Sequence, residues 1–516
     1  MQVKILWADD EIDLLKPHIL FLESKGYEVT TVNNGREAVE LNQKEVFDII
    51  FLDENMPGIT GLDALLLIKE DRPFVPVVMI TKSEEEHIME EAIGSKIADY
   101  LIKPVNPNQI LLTLKKNLDH KKLVSQKTNS VYQQEFRQLG MTLNSNLNYP
   151  EWIEVFKKLV YWELELDKIE DKGMKQVFEM QKKEANQLFT KFFTNYYSEW
   201  LKEETSEDTP MFIHRLMKER VFKELNDTKV ALLVVDNLRY DQWQVIKPII
   251  LNYYKLVKDE VVCSILPTAT HYARNAFFAG MMPSQIEDKL PQYWVGEYDD
   301  GFKNGFEKEL LGEQLKNLRK EVKWSYQKVT NYEIGKKVVD NFNQIQSNDL
   351  NVVVYNFVDM LSHSRTEMKV IRELADDESA YRSITRSWFE HSPLQNLIKK
   401  FAESGFKLII TTDHGTIRVN NPIKVLGERD LNTNLRYKFA RGMSYKEKDV
   451  FQEKDPKAIK LPKGKMSSEY IFAKNDDFFV YPNNFNHFVN HYSETFQHGG
   501  VSMEELLIPF IVLQPK

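Results

Sequence analysis

One cysteine in 516 residues, Cys263, excludes an intrachain disulfide and any site built on several cysteine ligands. No apolar run approaches about eighteen residues, so a membrane-spanning helix is not expected. The amino terminus, MQVKILWADDEID, turns acidic before a signal-like apolar stretch develops. A surplus of positive charge is missing too. Against 77 Asp and Glu stand 68 Lys and Arg, a formal charge of −9, which argues against a generally basic nucleic-acid binder. What remains, 42% hydrophobic and 28% charged, is the balance of a folded cytoplasmic enzyme or regulator of roughly two to four domains.

Residues 1–120 alternate the apolar runs VKILWA, EVTTV, DIIFLD, VPVVMIT and ADYLIK with amphipathic segments, which predicts a doubly wound α/β domain. Residues 121–208 change character. WIEVFKKLVYWELEL and MKQVFEMQKKEANQLFTKFFTNYYSEWL carry apolar residues at helical spacing without proline, the pattern of a helical-bundle connector. They hold no Glu-x-x-His pair, which excludes a carboxylate di-metal bundle. Residues 209–516 return to α/β. KVALLVVDN, NVVVYNFVD, KLIITTDH and LIPFIVL predict one large domain on a mostly parallel sheet, interrupted by an insertion near 418–469.

In the first domain Asp9 and Asp10 end one strand, Asp53 another and Thr81 a third, while Lys103 follows the last. Such ends converge in a parallel sheet. Clustered carboxylates need a cation, and hard oxygen ligands suit Mg²⁺, held by Asp10, Asp53 and the Asn55 carbonyl. Asp53 can attack a phosphoryl donor while Lys103 neutralises the transferring oxygens, Thr81 bonds the product and Tyr100 follows its movement. DDE, FLDENMPGITGLD, MIT and YLIKP resemble the receiver domain of bacterial response regulators. The resemblance implies a sensor histidine kinase as phosphoryl donor. It also implies a phosphorylation-dependent homodimer through the fourth and fifth helices and the fifth strand.

The last domain repeats the logic with other ligands. Asp236, Asp359, His363, Asp413, His414 and His498 all fall at or after strand-like runs. Three carboxylates and three imidazoles suit two Zn²⁺ or Mn²⁺ ions better than Mg²⁺. A pair of ions stabilises both the entering and the leaving oxygen of an in-line displacement. Thr270, opening a helical run, is the candidate nucleophile, and Arg274, one turn on, is placed to steady a non-bridging oxygen.

The insertion holds thirteen Lys or Arg against seven Asp or Glu, with Tyr437 and Phe439 between Arg436, Lys438 and Arg441. That interleaving suits phosphate pairing and base stacking, so Arg436 and Lys438 are candidate substrate residues. A phosphodiesterase acting on nucleotides or short oligonucleotides is the favoured reading. A phosphomonoesterase and a transcription-regulatory scaffold are the alternatives, and a dual role with a sigma factor or secretion-system component as partner is compatible with each.

VVDNLRYDQW, PTATHYARNAFFAG, FVDMLSH, TTDHG and QHGG resemble the PglZ domain, a branch of the alkaline phosphatase superfamily. That resemblance implies one metal on Asp359, His363 and His498, and another on Asp236, Asp413 and His414, with Thr270 facing the reaction. Receiver, helical connector and PglZ domain in this order resemble the PorX-type response regulators of the Bacteroidetes, which implies a link to the type IX secretion system.

Overall fold

The first five apolar runs form strands β1 (Lys4–Ala8), β2 (Glu28–Val32), β3 (Ile49–Asp53), β4 (Val77–Thr81) and β5 (Asp99–Ile102), all parallel and ordered β2-β1-β3-β4-β5. Alternate residues feed two cores. Leu6, Ala8, Ile50, Leu52, Val77 and Met79 face one side; Ile5, Trp7, Ile49, Phe51, Val78 and Ile80 face the other. Both faces are covered, so these strands read as continuous apolar runs. Asn34 caps the helix Gly35–Lys44, and Thr60 with Asp63 makes a capping box on Gly61–Asp71. Gly61 lies so close to the Asp53 carbonyl that any Cβ there would overlap it. The glycine therefore lets the helix start directly beneath the acidic strand end.

The computed structural model describes residues 3–72, 75–82, 97–168, 172–203, 209–225, 228–359, 361, 377–427, 432–464 and 468–516. They fall into two units, Met1–Gln134 and Glu135–Lys516. The helix Pro107–Leu143 passes position 120 unbroken, so the connector begins inside it. The fourth receiver helix, expected between β4 and β5, falls mostly on 83–96 and outside the described residues. Among the described residues no helix is long and apolar enough to cross a membrane.

In the second unit the helices Tyr149–Asp167 and Lys172–Trp200 bury an aromatic stripe, with Trp152 against Phe189 at 5.6 Å and Phe193 stacked on Tyr197 at 4.9 Å. A six-stranded sheet follows: β6 (Val230–Val235), β7 (Tyr254–Cys263), β8 (Trp324–Val329), β9 (Leu350–Tyr355), β10 (Lys407–Thr411) and β18 (Leu507–Pro515), ordered β7-β18-β10-β6-β9-β8. Four of these strands are parallel, whereas β18 runs antiparallel to both neighbours. Because β9, β6 and β10 are adjacent and parallel, Asp359, Asp236 and Asp413 emerge side by side from their carboxyl ends.

The insertion near 418–469 and the stretch that follows it to residue 497 are more ordered than composition suggests. Short strands β11 (Ile417–Arg418), β12 (Asn421–Lys424), β13 (Tyr437–Ala440), β14 (Val450–Glu453), β15 (Glu469–Ala473), β16 (Asp477–Val480) and β17 (Phe496–Gln497) pair into three small sheets. Strand β13 is buried along its whole length.

Candidate functional site

At the carboxyl edge of the first sheet, Lys103 Nζ lies 2.9 Å from Asp9 Oδ2 and 2.9 Å from Asp53 Oδ1. Asp9, Asp10 and Asp53 each offer an oxygen within 4.8 Å of the others. Burial raises the Asp53 carboxyl above its ordinary range, Lys103 opposes it, and Asp9 adds to it. Three carboxylates against one ammonium leave a deficit that a divalent cation fits. Thr81 is wholly buried at the next strand end, and its side chain is hydrogen-bonded to the Tyr100 phenol, which therefore already faces inward. Asn55 is exposed beside this edge.

The second cluster is deeper. Asp236, Asp413 and His414 are almost completely buried and present ligand atoms within 4.8 Å of one another. Asp413 Oδ1 accepts the backbone N–H of His414 at 3.1 Å and of Asn237 at 3.4 Å, while its Oδ2 is buried without a hydrogen bond. A carboxylate fixed by one oxygen, with the other held only by charge from Arg274 Nη1 at 3.7 Å and lying 3.7 Å from His414 Nε2, suits a monodentate metal ligand. Burial pushes the Asp236 carboxyl well up, Arg274 opposes it, and the neighbouring Asp413 and Asp359 push further. Bound cations would release that strain.

The two histidines are oriented alike. His414 Nδ1 lies 3.0 Å from the Gly415 carbonyl, and His498 Nδ1 lies 3.0 Å from the Thr268 carbonyl. A carbonyl accepts only from N–H, so both rings carry the proton on Nδ1 and direct the Nε2 lone pair elsewhere. His498 Nε2 points towards Asp359 Oδ1 at 3.7 Å, and the two rings stack at 4.3 Å. His363, expected beside Asp359, lies outside the described residues.

Thr270 is the first residue of the helix Thr270–Ala279, which no side chain caps. Its Oγ1 lies 3.3 Å from Asp236 Oδ1 and 3.2 Å from His414 Nε2. The N–H groups of Thr270 and His271 open that uncapped first turn, an arrangement suited to a phosphoryl group. Thr268 holds a neighbouring loop instead. Its hydroxyl donates to the Gly500 carbonyl at 2.9 Å and accepts from Gly499 N–H at 3.0 Å, pinning the segment that carries His498.

Two expected substrate residues are corrected. Arg274 is fully buried and ion-paired with Asp236 Oδ2 at 2.6 Å and Glu307 Oε1 at 2.6 Å. These two carboxylates engage its guanidinium. Arg436 is also fully buried, with Glu505 Oε2 at 2.5 Å and the Asp477 carbonyl as partners. It fastens β13 to the segment after His498 and is no part of an exposed lid. Lys438, two residues further along the same extended segment, lines a separate cavity. Glu307, which anchors Arg274 and accepts the Tyr326 hydroxyl, was missed. As one acid in the first turn of Glu307–Asn317, it carries no local signal.

Connector helices reach the same loops. Asn186 donates to Glu504 Oε2 at 2.7 Å and accepts Met503 N–H at 3.0 Å, and the Thr190 hydroxyl lies 3.3 Å from the Val501 carbonyl. The carbonyl oxygen of Glu504 in turn lies where a Cβ on Gly415 would sit.

Comparison with known proteins agrees with this division. A receiver-domain model matches residues 5–115, the PorX response regulator linker domain matches 122–201, and the BREX system PglZ alkaline phosphatase-like domain matches 216–513. The alginate biosynthesis transcriptional regulatory protein AlgB of Pseudomonas syringae pv. tomato is 37% identical over 122 residues, covering 24% of this chain and 27% of that protein. Response regulator SaeR of Staphylococcus epidermidis is 31% identical over 163 residues, covering 30% of this chain and 70% of its own. Chemotaxis protein CheY4 of Vibrio cholerae matches as a structure with 33% identity and a TM-score of 0.22, over 22% of this chain and 98% of its own. The chain thus spans little more than a quarter, 27%, of the length of AlgB.

A phosphoacceptor-type receiver joined through helices to an alkaline-phosphatase-like domain defines a response regulator with a hydrolase-family output. The chain belongs to the PglZ family, whose model covers more than half of it, and its three segments have the PorX-type architecture.

Proposed function

We propose that the output domain is a two-metal phosphodiesterase acting on nucleotides or short oligonucleotides, governed by phosphorylation of Asp53. One observation carries the reading: the Thr270 hydroxyl sits within 3.3 Å of two members of a buried Asp236–Asp413–His414 cluster. Asp236, Asp413 and His414 would hold one ion; Asp359 and His498, with His363, would hold the other. Bound Zn²⁺ or Mn²⁺ supplies charge stabilisation for the entering and leaving oxygens. Thr270 Oγ forms a bond to phosphorus as the bond to the leaving oxygen breaks, and its proton departs through the hydrogen bond to Asp236 Oδ1. The uncapped helix start binds the non-bridging oxygens. The expelled oxygen takes a proton from solvent. Water then attacks the same phosphorus, the bond to Thr270 Oγ breaks, and Thr270 regains its proton from Asp236 as the water proton is lost to solvent.

In the receiver, Asp10, Asp53 and the Asn55 carbonyl would hold Mg²⁺ while a sensor histidine kinase supplies the phosphoryl group. Thr81 and Tyr100 would carry the switch, with Asp9 and Lys103 balancing charge. The PorX-type architecture supports a cytoplasmic regulator of type IX secretion that dimerises on phosphorylation and contacts a sigma factor or secretion-system component. Beryllofluoride treatment should raise the sedimenting mass, and an unchanged mass at all concentrations would refute the dimer.

Turnover of a bis-aryl phosphate and an aryl phosphate by the zinc- or manganese-loaded chain tests the chemistry. Diester turnover is expected; monoester turnover alone would make it a phosphomonoesterase. A chain that holds no metal and turns over neither ester would instead be a transcription-regulatory scaffold.

A further inference from the structure

Beside the helix Phe485–Tyr492, where β16 ends, lies a cavity of about 410 Å³, within the range of small-molecule sites. Four aromatic residues join Val425, Leu435 and Val480 in its walls. Phe479 is buried at one side, Phe488 and Tyr492 present rings 6.2 Å apart and 10° from parallel, and Tyr481 stands at the exposed rim.

Lys438, Asn432 and the exposed Thr433 interrupt that lining. Lys438 is only 8% exposed; its ammonium donates to the Asn432 carbonyl at 2.6 Å, and no carboxylate among the described residues forms an ion pair with it. The Asn432 side chain donates to Glu297 at 2.9 Å, leaving its Oδ1 buried with no hydrogen-bond partner among the described residues. A packing gap would need neither group. A buried ammonium without a counter-ion is costly, and so is a buried acceptor without a donor. Burial holds the Lys438 ammonium down to about 8, with Glu297 only partly opposing it, which reflects the same shortage of negative charge.

We propose that this cavity is a nucleotide subsite, in which a base stacks on the aromatic walls and an anionic phosphate oxygen meets Lys438. The proposal rests on the nucleotide-directed reading above and deepens it by naming where the base is held. Its position is consistent with that role. Tyr437, the neighbour of Lys438 on β13, lies against Gly499, one residue beyond His498: a Cβ on that glycine would be 2.7 Å from the tyrosine ring. The cavity therefore borders a strand packed on the loop that carries a candidate metal ligand.

Calorimetric titration of adenosine 5′-monophosphate into the full chain, stripped of metal with EDTA, tests this. The expected result is single-site binding that weakens at least tenfold in Lys438→Met and at least fivefold in Tyr481→Ala. Ribose 5-phosphate, which lacks the base, should bind at least tenfold more weakly than the nucleotide. Absent binding, unchanged affinity in both variants, or equal affinity for ribose 5-phosphate would overturn the proposal. Should Lys438→Met fail to give a cooperative melt, Tyr481→Ala decides alone, since its side chain is 43% exposed. No turnover is needed in this assay. A chain that binds the nucleotide as described yet hydrolyses no diester keeps the subsite and loses the phosphodiesterase reading; the reverse outcome removes the subsite alone.

Discussion

His414 and His498 each commit Nδ1 to a backbone carbonyl, so the remaining nitrogen is available to a cation without any ring flip. Within that arrangement Thr270 is the one hydroxyl in reach of both Asp236 and His414 among the contacts described. Thr270→Ala should reduce diester turnover by about 10³-fold or more while zinc content, read by inductively coupled plasma mass spectrometry, stays that of wild type. Glu297 gives a separate, pH-dependent expectation. Burial opposes its ionisation, yet His271, Asn432 and Tyr272 hold the carboxyl down to about 2, against an ordinary value of 4.5. A folded value below the unfolded one stabilises the protein above about pH 4.5, and the benefit is lost as pH falls towards 2. Glu297→Gln should therefore cost up to about 3 kcal/mol at pH 7, with the gap to wild type closing below pH 4.5 in urea unfolding. Several ligand candidates were legible in sequence because Asp and His ended apolar runs. Arg436 was misread because RYKF alternates between two faces of a buried strand. Its counter-ion, Glu505, is 69 residues away, beyond any local pattern.

At the scale of elements, Arg382 on the helix Glu378–His391 clasps two other helices. It reaches Glu163 at 2.8 Å and Asp167 at 2.6 Å on Tyr149–Asp167, and Asp241 at 2.9 Å near the start of Tyr240–Ile250. Attraction to Lys182 and Arg382 keeps Glu163 at about 2 although burial opposes this. Arg382→Met would leave Glu163 to Lys182, Asp241 to Arg239 and Asp167 to Lys175, so a loss of about 1–3 kcal/mol is expected, visible as a lower melting temperature for the second unit. Replacing Glu163 by Met in the same chain should recover part of it. Strands β6, β9 and β10 could be read from sequence because both their faces are buried. Strand β7 could not, since it is an edge strand with Leu256 and Val257 exposed. The antiparallel course of β18 was equally hidden, because a buried apolar run looks the same in either direction.

For the whole molecule, two acidic centres of different chemistry should respond independently to metal. Wild type and Asp53→Asn are each expected to carry about two zinc ions per chain, whereas Asp413→Asn should carry at least one fewer. Loss of zinc from Asp53→Asn would contradict the separation of the sites. The order of segments was legible because each has its own hydrophobic period; their junctions were not. A continuous helix, Pro107–Leu143, leaves no compositional break at residue 120.

Asn186 and Thr190 belong to the spacer by sequence but brace the backbone just after His498. Any chimaera that kept the catalyst and exchanged the spacer for a foreign coiled coil would remove those braces. Spacer and catalyst are consequently a single heritable module, and recombination that separates them should yield folded receivers attached to slackened histidine loops.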